Sequence, residues 1–388
     1  MAASSASAGD VGSATLDLIT ASGQHRAVRV ALVYHRHAAD GGVEKNLDRL
    51  AAFLAGRGHA VEILCRRHGP PPAPGVTFAR LGTWAIGPWR AKGFANAVAR
   101  QVESASYDRV LAFGRTWPHD VIRLGMGCHA TYLERMGLPT RWRDRVELGL
   151  ESTALAAGSF RGRRRRVLCN SRLVAADAAR RYGLTAEDLT IIGNGADLNR
   201  FHPRHRATGQ ALLRAGLVGD GPIALFLGSG FQRKGLDRAL LALAQTTDLR
   251  LAVAGRDGDS ERFIRQTHAL GLSQRVAFLG QTTEPEKLLA GADLLVLPTR
   301  YDPFANVTIE ALAAGTPVVT TTDNGGCEVL AAGTGATADC DDPAALAEVM
   351  LVWSALGQSD ATRTACRSAA ESHGLESVLE RTTAVLLS

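Results

Sequence analysis

The run from Ala292 to Thr322, ADLLVLPTRYDPFANVTIEALAAGTPVVTTT, constrains the fold more than any other part of the chain. ADLLVLP is a short, continuous apolar segment, the pattern of a strand buried on both faces of a parallel sheet. Pro303 favours a turn or a first helical turn. Val307, Ile309, Ala311 and Leu312 make the next segment apolar enough to pack on that sheet. Gly315 suits a left-handed helix end, and Pro317 cannot continue the helix. The β-branched TPVVTTT is the next strand. Strand, loop, helix, turn, strand in so few residues is the repeating unit of an α/β chain.

Two acids flank this loop and helix, Asp302 and Glu310, eight positions apart. Asp302 precedes the helix, where free N–H groups and the dipole give positive potential and can hold a phosphate. Glu310 lies two turns on, and a carboxylate is a natural partner for vicinal sugar hydroxyls. The alternative is that Asp302 caps the helix and Glu310 is a solvated charge.

The stretch YDPFANVTIEALAAGTPVVTT resembles, over its whole length, the acid-x7-acid motif of the retaining glycosyltransferases of family 4. The resemblance implies a GT-B fold: two doubly wound, Rossmann-like α/β domains facing across a cleft. It implies that Asp302 and the backbone of Phe304, Ala305, Asn306 and Val307 face donor sugar and diphosphate, and that Glu310 binds the ribose. The family most often has Glu where this chain has Asp302, one methylene shorter.

A second motif is GSGFQRKG, Gly228 to Gly235, after the apolar strand IALFLG. Small residues allow close backbone approach, and Arg233 and Lys234 at a helix start make an anion site; a solvated basic turn is the alternative. The run also resembles the family's diphosphate-binding signature, which gives Gly228 a donor contact and Arg233 and Lys234 catalytic roles. GNGADLNRFHP, Gly193 to Pro203, resembles the inter-domain signature. Arg200 there reaches the diphosphate or forms a hinge salt bridge.

Near the start, VRVALVY is a buried strand followed by HRHAADGGVEKNL. Gly41-Gly42 permits a tight turn before a helix with Val43, Leu47, Leu50, Ala51 and Leu54 on one face. It is not a G-x-G-x-x-G fingerprint, so nicotinamide cofactors are not favoured. It resembles the family's N-terminal glycine loop, which implies donor contacts for Gly41, Gly42 and Asn46; for Asn46 an exposed helix position is the alternative. His129, in MGCHATYLERMG, sits where a strand gives way to a helix. A lone His is more often structural, but the resemblance places a polar residue beside the donor sugar here and makes His129 a catalytic candidate. Gln281, after RVAFLG, matches the position where the family's backbone meets the nucleobase. Asp257-Gly258-Asp259 matches a D-x-D metal motif only superficially, and the family usually needs no metal. The expectation is therefore no metal and no cofactor beyond the nucleotide-sugar substrate.

The chain of 388 residues, 46% hydrophobic and 21% charged, has room for two soluble domains. The expected division is a disordered leader over 1–26, which lacks the basic start and apolar core of a signal peptide. An acceptor-binding domain over 27–200 and a nucleotide-sugar-binding domain over 201–368 follow, and a helix over 369–388 returns to the first. No run is apolar enough to span a membrane. The six cysteines form no C-x-x-C pair, which points to free thiols in a reducing cytoplasm.

The net charge of +6 points to an anionic partner. Residues 141–166 combine a basic amphipathic helix bearing Trp142 with the run RGRRRR, a solvated loop or an anchor to anionic lipid on the inner face of the cytoplasmic membrane. Nucleic acid is not favoured, because no aromatic residues interleave and no binding module is present. The motifs together most resemble the lipopolysaccharide core glucosyltransferases, which implies transfer of glucose from UDP-glucose to a lipid-linked heptose. The alternatives are another donor or acceptor, such as GDP-mannose or UDP-GlcNAc, an epimerase of similar fold, or a non-catalytic basic scaffold.

Overall fold

The computed structural model describes residues 27–37, 42–87 and 89–388. The expected leader over 1–26 and Gly41 lie outside the described residues. The strands are β1 (Arg29–Val33), β2 (Ala60–Cys65), β3 (Val76–Arg80), β4 (Arg109–Ala112), β5 (Val121–Leu124), β6 (Ser159–Phe160), β7 (Arg163–Arg164), β8 (Arg166–Cys169), β9 (Leu189–Ile191), β10 (Ile223–Leu227), β11 (Arg250–Ala254), β12 (Val276–Gly280), β13 (Leu294–Leu297), β14 (Val318–Thr320) and β15 (Gly335–Thr337).

One sheet has the order β3-β2-β1-β4-β5-β8-β9 and the other β12-β11-β10-β13-β14-β15. The β1–β2, β1–β4, β10–β11 and β10–β13 pairs all run parallel. Parallel pairing requires crossovers, and helices supply them, so central strands are covered on both faces. That is why β10 and β13 are apolar and buried at every position. Both sheets are doubly wound, and each has one point where strand order reverses: beside β1 in the first and beside β10 in the second. Ligands of such sheets bind in the crevice at the carboxyl ends of the strands flanking that point.

The chain divides into two compact units. The first holds the described residues through Ile122, with Ser159–Arg165 and Glu380–Ser388. The second holds Arg123–Gly158 and Arg166–Leu379. In the first, Leu47, Leu50 and Leu54 of the helix Gly42–Gly56 are buried, as the 3.6-residue spacing requires. In the second, one apolar core runs from Ala196 to Ala370 and includes Phe226, Phe231 and Phe263, whose rings meet edge to face.

The basic run has more internal structure than a solvated loop. β6 and β7 form a two-residue hairpin, with Arg161 at φ 52° and Gly162 at φ 76°. Two consecutive positive φ angles define the turn that matches strand twist. Arg161 Nη2 donates to Val102 O at 2.9 Å and Nη1 to Tyr107 O. Arg163 Nη2 donates to Asp120 Oδ1 at 2.7 Å. Arg161 and Arg163 therefore brace the first unit.

Candidate active site

The second unit brings Arg233, Lys234 and Asp302 together at its strand-reversal point. The short helical turn Phe231–Lys234 after β10 carries the two cations, and the loop after β13 carries the acid. Lys234 Nζ lies 2.9 Å and Arg233 Nη1 2.7 Å from the same oxygen, Asp302 Oδ2. Arg233 Nη1 also donates to Tyr301 O at 3.0 Å. Burial alone would raise the Asp302 pKa, but the charges of Lys234 and Arg233 outweigh it and hold the carboxyl below its ordinary value. Two cations against one carboxylate leave the cluster at +1.

Glycines make this geometry possible. Gly228 has φ +148°, and a Cβ there would lie 2.8 Å from Lys234 Cδ and Cε, so its absence gives the lysine its path. Gly235 has φ +80°, and a Cβ would lie 1.9 Å from Pro298 O. The turn is clamped from the other strand: Arg300 forms a two-pronged pair with Asp237 at 2.8 and 2.6 Å. Thr299 Oγ1 and Arg300 N both donate to Arg233 O. Asp257 Oδ2 accepts from Phe231 N and Oδ1 from Asp259 N, so Asp257 shapes a turn.

Asp302 is not the helix cap. The helix runs Asn306–Ala313, and its cap position is Ala305, which has no side chain to offer. Its first turn therefore keeps N–H groups and positive potential directed at the Asp302 loop. Asn324, fully buried, holds that start in place. Its Oδ1 accepts from Ala305 N and Gly326 N, and its Nδ2 donates to Thr308 Oγ1 and Thr320 Oγ1. Along this helix Asn306 and Glu310 alone are not fully buried. They lie four apart and share a face. Phe304, Ala305 and Val307 are buried beneath them.

The segment carrying His129 packs on the same loop. Gly127 has φ +68°, and a Cβ there would lie 2.3 Å from Tyr301 Oη and 2.8 Å from Pro303 Cγ. Cys128 caps the helix His129–Arg135 without a side-chain bond. The buried Glu151 caps it instead, accepting from His129 N at 2.9 and 3.0 Å. His129 Nε2 contacts Asp144 Oδ1 at 2.9 Å. Sequence reasoning missed Glu151 and a further relay: Arg123 Nη2 donates to Asn194 Oδ1 at 2.7 Å, and Asn194 Nδ2 to Asn306 Oδ1 at 2.6 Å. Asn194 stands in a motif the sequence does flag; Arg123 has no local signal.

Arg200 pairs with Glu286 at 2.9 Å, in line with the salt-bridge alternative. Gln281 is exposed just past β12. In the first unit, Gly42 is exposed at its helix start and Asn46 is half-buried one turn on.

Residues 40–200 match the model of glycosyltransferase family 4, and 214–373 match that of glycosyl transferases group 1. A D-inositol 3-phosphate glycosyltransferase of Nocardia farcinica is 30% identical over 322 residues, covering 72% of this chain and 69% of that protein. The chain belongs to the family 4 glycosyltransferases. Lipopolysaccharide glucosyltransferase WaaG of Escherichia coli K12 is 26% identical, over 75% of this chain and 80% of its own. A crystal structure of WaaG, a glycosyltransferase involved in lipopolysaccharide biosynthesis, superimposes with a TM-score of 0.76 at 22% identity. It covers 92% of this chain and 99% of its own, which shows that this family 4 chain has the GT-B fold. The match to mannosylfructose-phosphate synthase of Agrobacterium fabrum, 34% identical, spans 37% of this chain and only 35% of that relative.

Proposed function

We propose that this family 4 chain moves a hexose, glucose from UDP-glucose, to a lipid-linked saccharide such as a lipopolysaccharide core heptose, with retention of anomeric configuration. The observation that carries the reading is the +1 cluster of Arg233, Lys234 and Asp302 beside a helix start with no side-chain cap. That arrangement suits a diphosphate, whose charge grows as it leaves. The anomeric C–O bond to the diphosphate breaks, the acceptor oxygen bonds to the anomeric carbon, and the acceptor proton passes to the departing phosphate oxygen. Arg233, Lys234 and the amides of Asn306 and Val307 stabilise the leaving group, the electrostatic contribution that usually dominates. Glu310 and Asn306 face the ribose and sugar from one helix face, and His129 meets the donor sugar. The reaction needs no metal. The acceptor assignment draws on the WaaG relative. The D-inositol 3-phosphate relative favours a second reading, a soluble phosphorylated polyol as acceptor. The reading places the protein in the cytoplasm, at the inner face of the membrane, with Trp142 and the exposed arginines of its helix as a lipid contact.

The test is a thermal-shift titration with UDP, UDP-glucose, UDP-GlcNAc and GDP-mannose in the presence of chelator. Stabilisation by UDP, larger with UDP-glucose and lost in Arg233→Ala and Glu310→Ala, is the expected result. A response to GDP-mannose alone discards the glucosyl assignment. No response to any nucleotide overturns the catalytic reading and brings forward a scaffold.

A further inference from the structure

The first unit carries a surface that no part of the transfer reading uses. Between Ile63 and Val102 the sequence contains no Asp or Glu but has Arg66, Arg67, Arg80, Arg90, Lys92 and Arg100. The loop leaving β3 lies inside this acid-free stretch, and along it exposure alternates. Thr83 and Ala85 are half-buried, while Trp84 is fully exposed and Ile86 is 77% exposed. The alternation is fixed from below. Gly93, on the helix Trp89–Ser104, lets the loop sit so close that a Cβ there would fall 2.1 Å from Thr83 Oγ1 and 3.0 Å from Ala85 Cβ. Ala85 N donates to Thr83 Oγ1 at 3.2 Å and tightens the turn. Holding Thr83 and Ala85 inward presents Trp84 and Ile86 outward. Trp89, 53% exposed, stands at the start of the helix with Lys92 Nζ 5.9 Å from its ring centroid.

Large apolar side chains held in water call for a partner. The surrounding charge says which. Arg66, Arg67 and Arg90 lie close enough for the two neighbours to oppose the charge of Arg66, after burial the main reasons its pKa is lowered. Exposed aromatic and aliphatic side chains in an acid-free stretch rich in Arg and Lys match the composition of a surface that sits at the headgroup boundary of a bilayer.

We propose that Trp84, Ile86 and Trp89, with Arg66, Arg67 and Arg90, dock the first unit on an anionic lipid surface. The apolar tips enter the acyl boundary, and the arginines meet headgroup phosphates. This goes beyond the transfer reading: it concerns where the protein works, and it can fail without affecting the donor.

The test is flotation of the full chain with vesicles of phosphatidylglycerol and phosphatidylcholine, against phosphatidylcholine alone. Wild type is expected to float with the anionic vesicles only, and less as salt rises. Trp84→Ser/Ile86→Ser should lose at least about tenfold in partitioning. Arg66→Ala/Arg67→Ala/Arg90→Ala should lose roughly 100-fold, at about fivefold per basic residue near the surface. Far-UV circular dichroism and a urea midpoint unchanged from wild type show that both variants fold. The proposal is overturned if both variants float like wild type, if the loss appears only in Trp142→Ser, or if wild type floats with neither vesicle or with both alike.

Discussion

Lys234 and Arg233 converge on one oxygen of Asp302, so this carboxylate decides whether two cations in a largely buried site are compensated. Replacing it with Asn leaves them opposed only by a neutral amide. Asp302→Asn is expected to destabilise the second unit by about 3 kcal/mol, read as a lower urea midpoint. UDP should bind the variant at least as tightly as wild type, because its phosphates then supply the missing negative charge, while sugar transfer falls at least about 100-fold. Lost UDP affinity would mean that Asp302 acts by holding the loop in shape. Its depressed pKa also sets a pH window. The folded value lies below the unfolded one, so the stability it contributes is complete above about pH 4 and is lost as pH falls further. His119, in the first unit, works in a different window. It is buried, its Nδ1 contacts Thr116 O at 2.9 Å, and burial lowers its pKa to about 4, with the Thr116 bond opposing that shift. Between about pH 6.5 and 4 the unfolded chain binds a proton that the folded chain does not, so stability should fall across that range by about 3 kcal/mol. His119→Asn, which still offers Thr116 O a donor, should flatten that slope in urea titrations at stepped pH.

At the scale of elements, the two glycines around Lys234 separate function from stability. A Cβ at Gly235 meets the backbone carbonyl of Pro298, which cannot move without shifting the end of β13. Gly235→Ala should therefore cost stability, about 3 kcal/mol or more, through overpacking at a left-handed position. A Cβ at Gly228 meets the far end of a flexible lysine. Gly228→Ala should cost about 1–2 kcal/mol in backbone strain but displace Lys234 from Asp302, so that activity falls much further than stability. Comparing kcat/KM with the urea midpoint for the two variants checks this; equal ratios would sink the distinction. The same elements show what the sequence could reveal. β10 and β13 are legible because a strand covered on both faces must be apolar throughout. The Arg233–Lys234 pair is legible because two adjacent cations at a helix start suit an anion, and Asp302 because its stretch resembles the family's acid-x7-acid motif. The helix start is less so: Pro303 points to an earlier first turn, whereas the helix begins at Asn306 because Asn324 pins Ala305 from a distant loop. Glu151 beneath His129 N and Arg123 behind Asn194 have the same origin. Each is a contact between residues far apart in sequence, and such contacts leave no periodicity to read. The contacts of Arg161 and Arg163 leave no local signal for the same reason: their partners, Val102, Tyr107 and Asp120, lie 40 to 60 positions earlier.

At the scale of the molecule, the last residues of the chain, Glu380–Ser388, belong to the first unit although the helix that carries them, Leu375–Leu387, starts in the second. The carbonyls at the end of a helix have no partner within it. Here one side chain serves them: Arg109 Nε donates to Leu386 O at 3.0 Å, and its Nη2 to Leu387 O at 2.9 Å and Ser388 O at 3.1 Å. A guanidinium is suited to this because its donors are fixed in one plane, and a cation at a helix C-terminus also meets the negative end of the dipole. Leu386 is buried beside it. Since Arg109 opens β4, which pairs with the central strand β1, the end of the chain is tied to the middle of the first sheet. Hydrogen bonds to a charged group contribute about 1.5–3 kcal/mol. Arg109→Met keeps much of the packing and removes the donors, and it should release the final turn by about that amount. Hydrogen exchange would then show faster amide exchange over residues 380–388 with little change in the second unit. Deleting 380–388 should go further, uncovering the surface Leu386 occupies and raising exchange in β4 as well. If β4 exchanges as in the intact chain after the deletion, the terminal segment is only a passenger on the first unit. If it loosens, the stability of the first sheet depends on residues that the chain reaches only at its end.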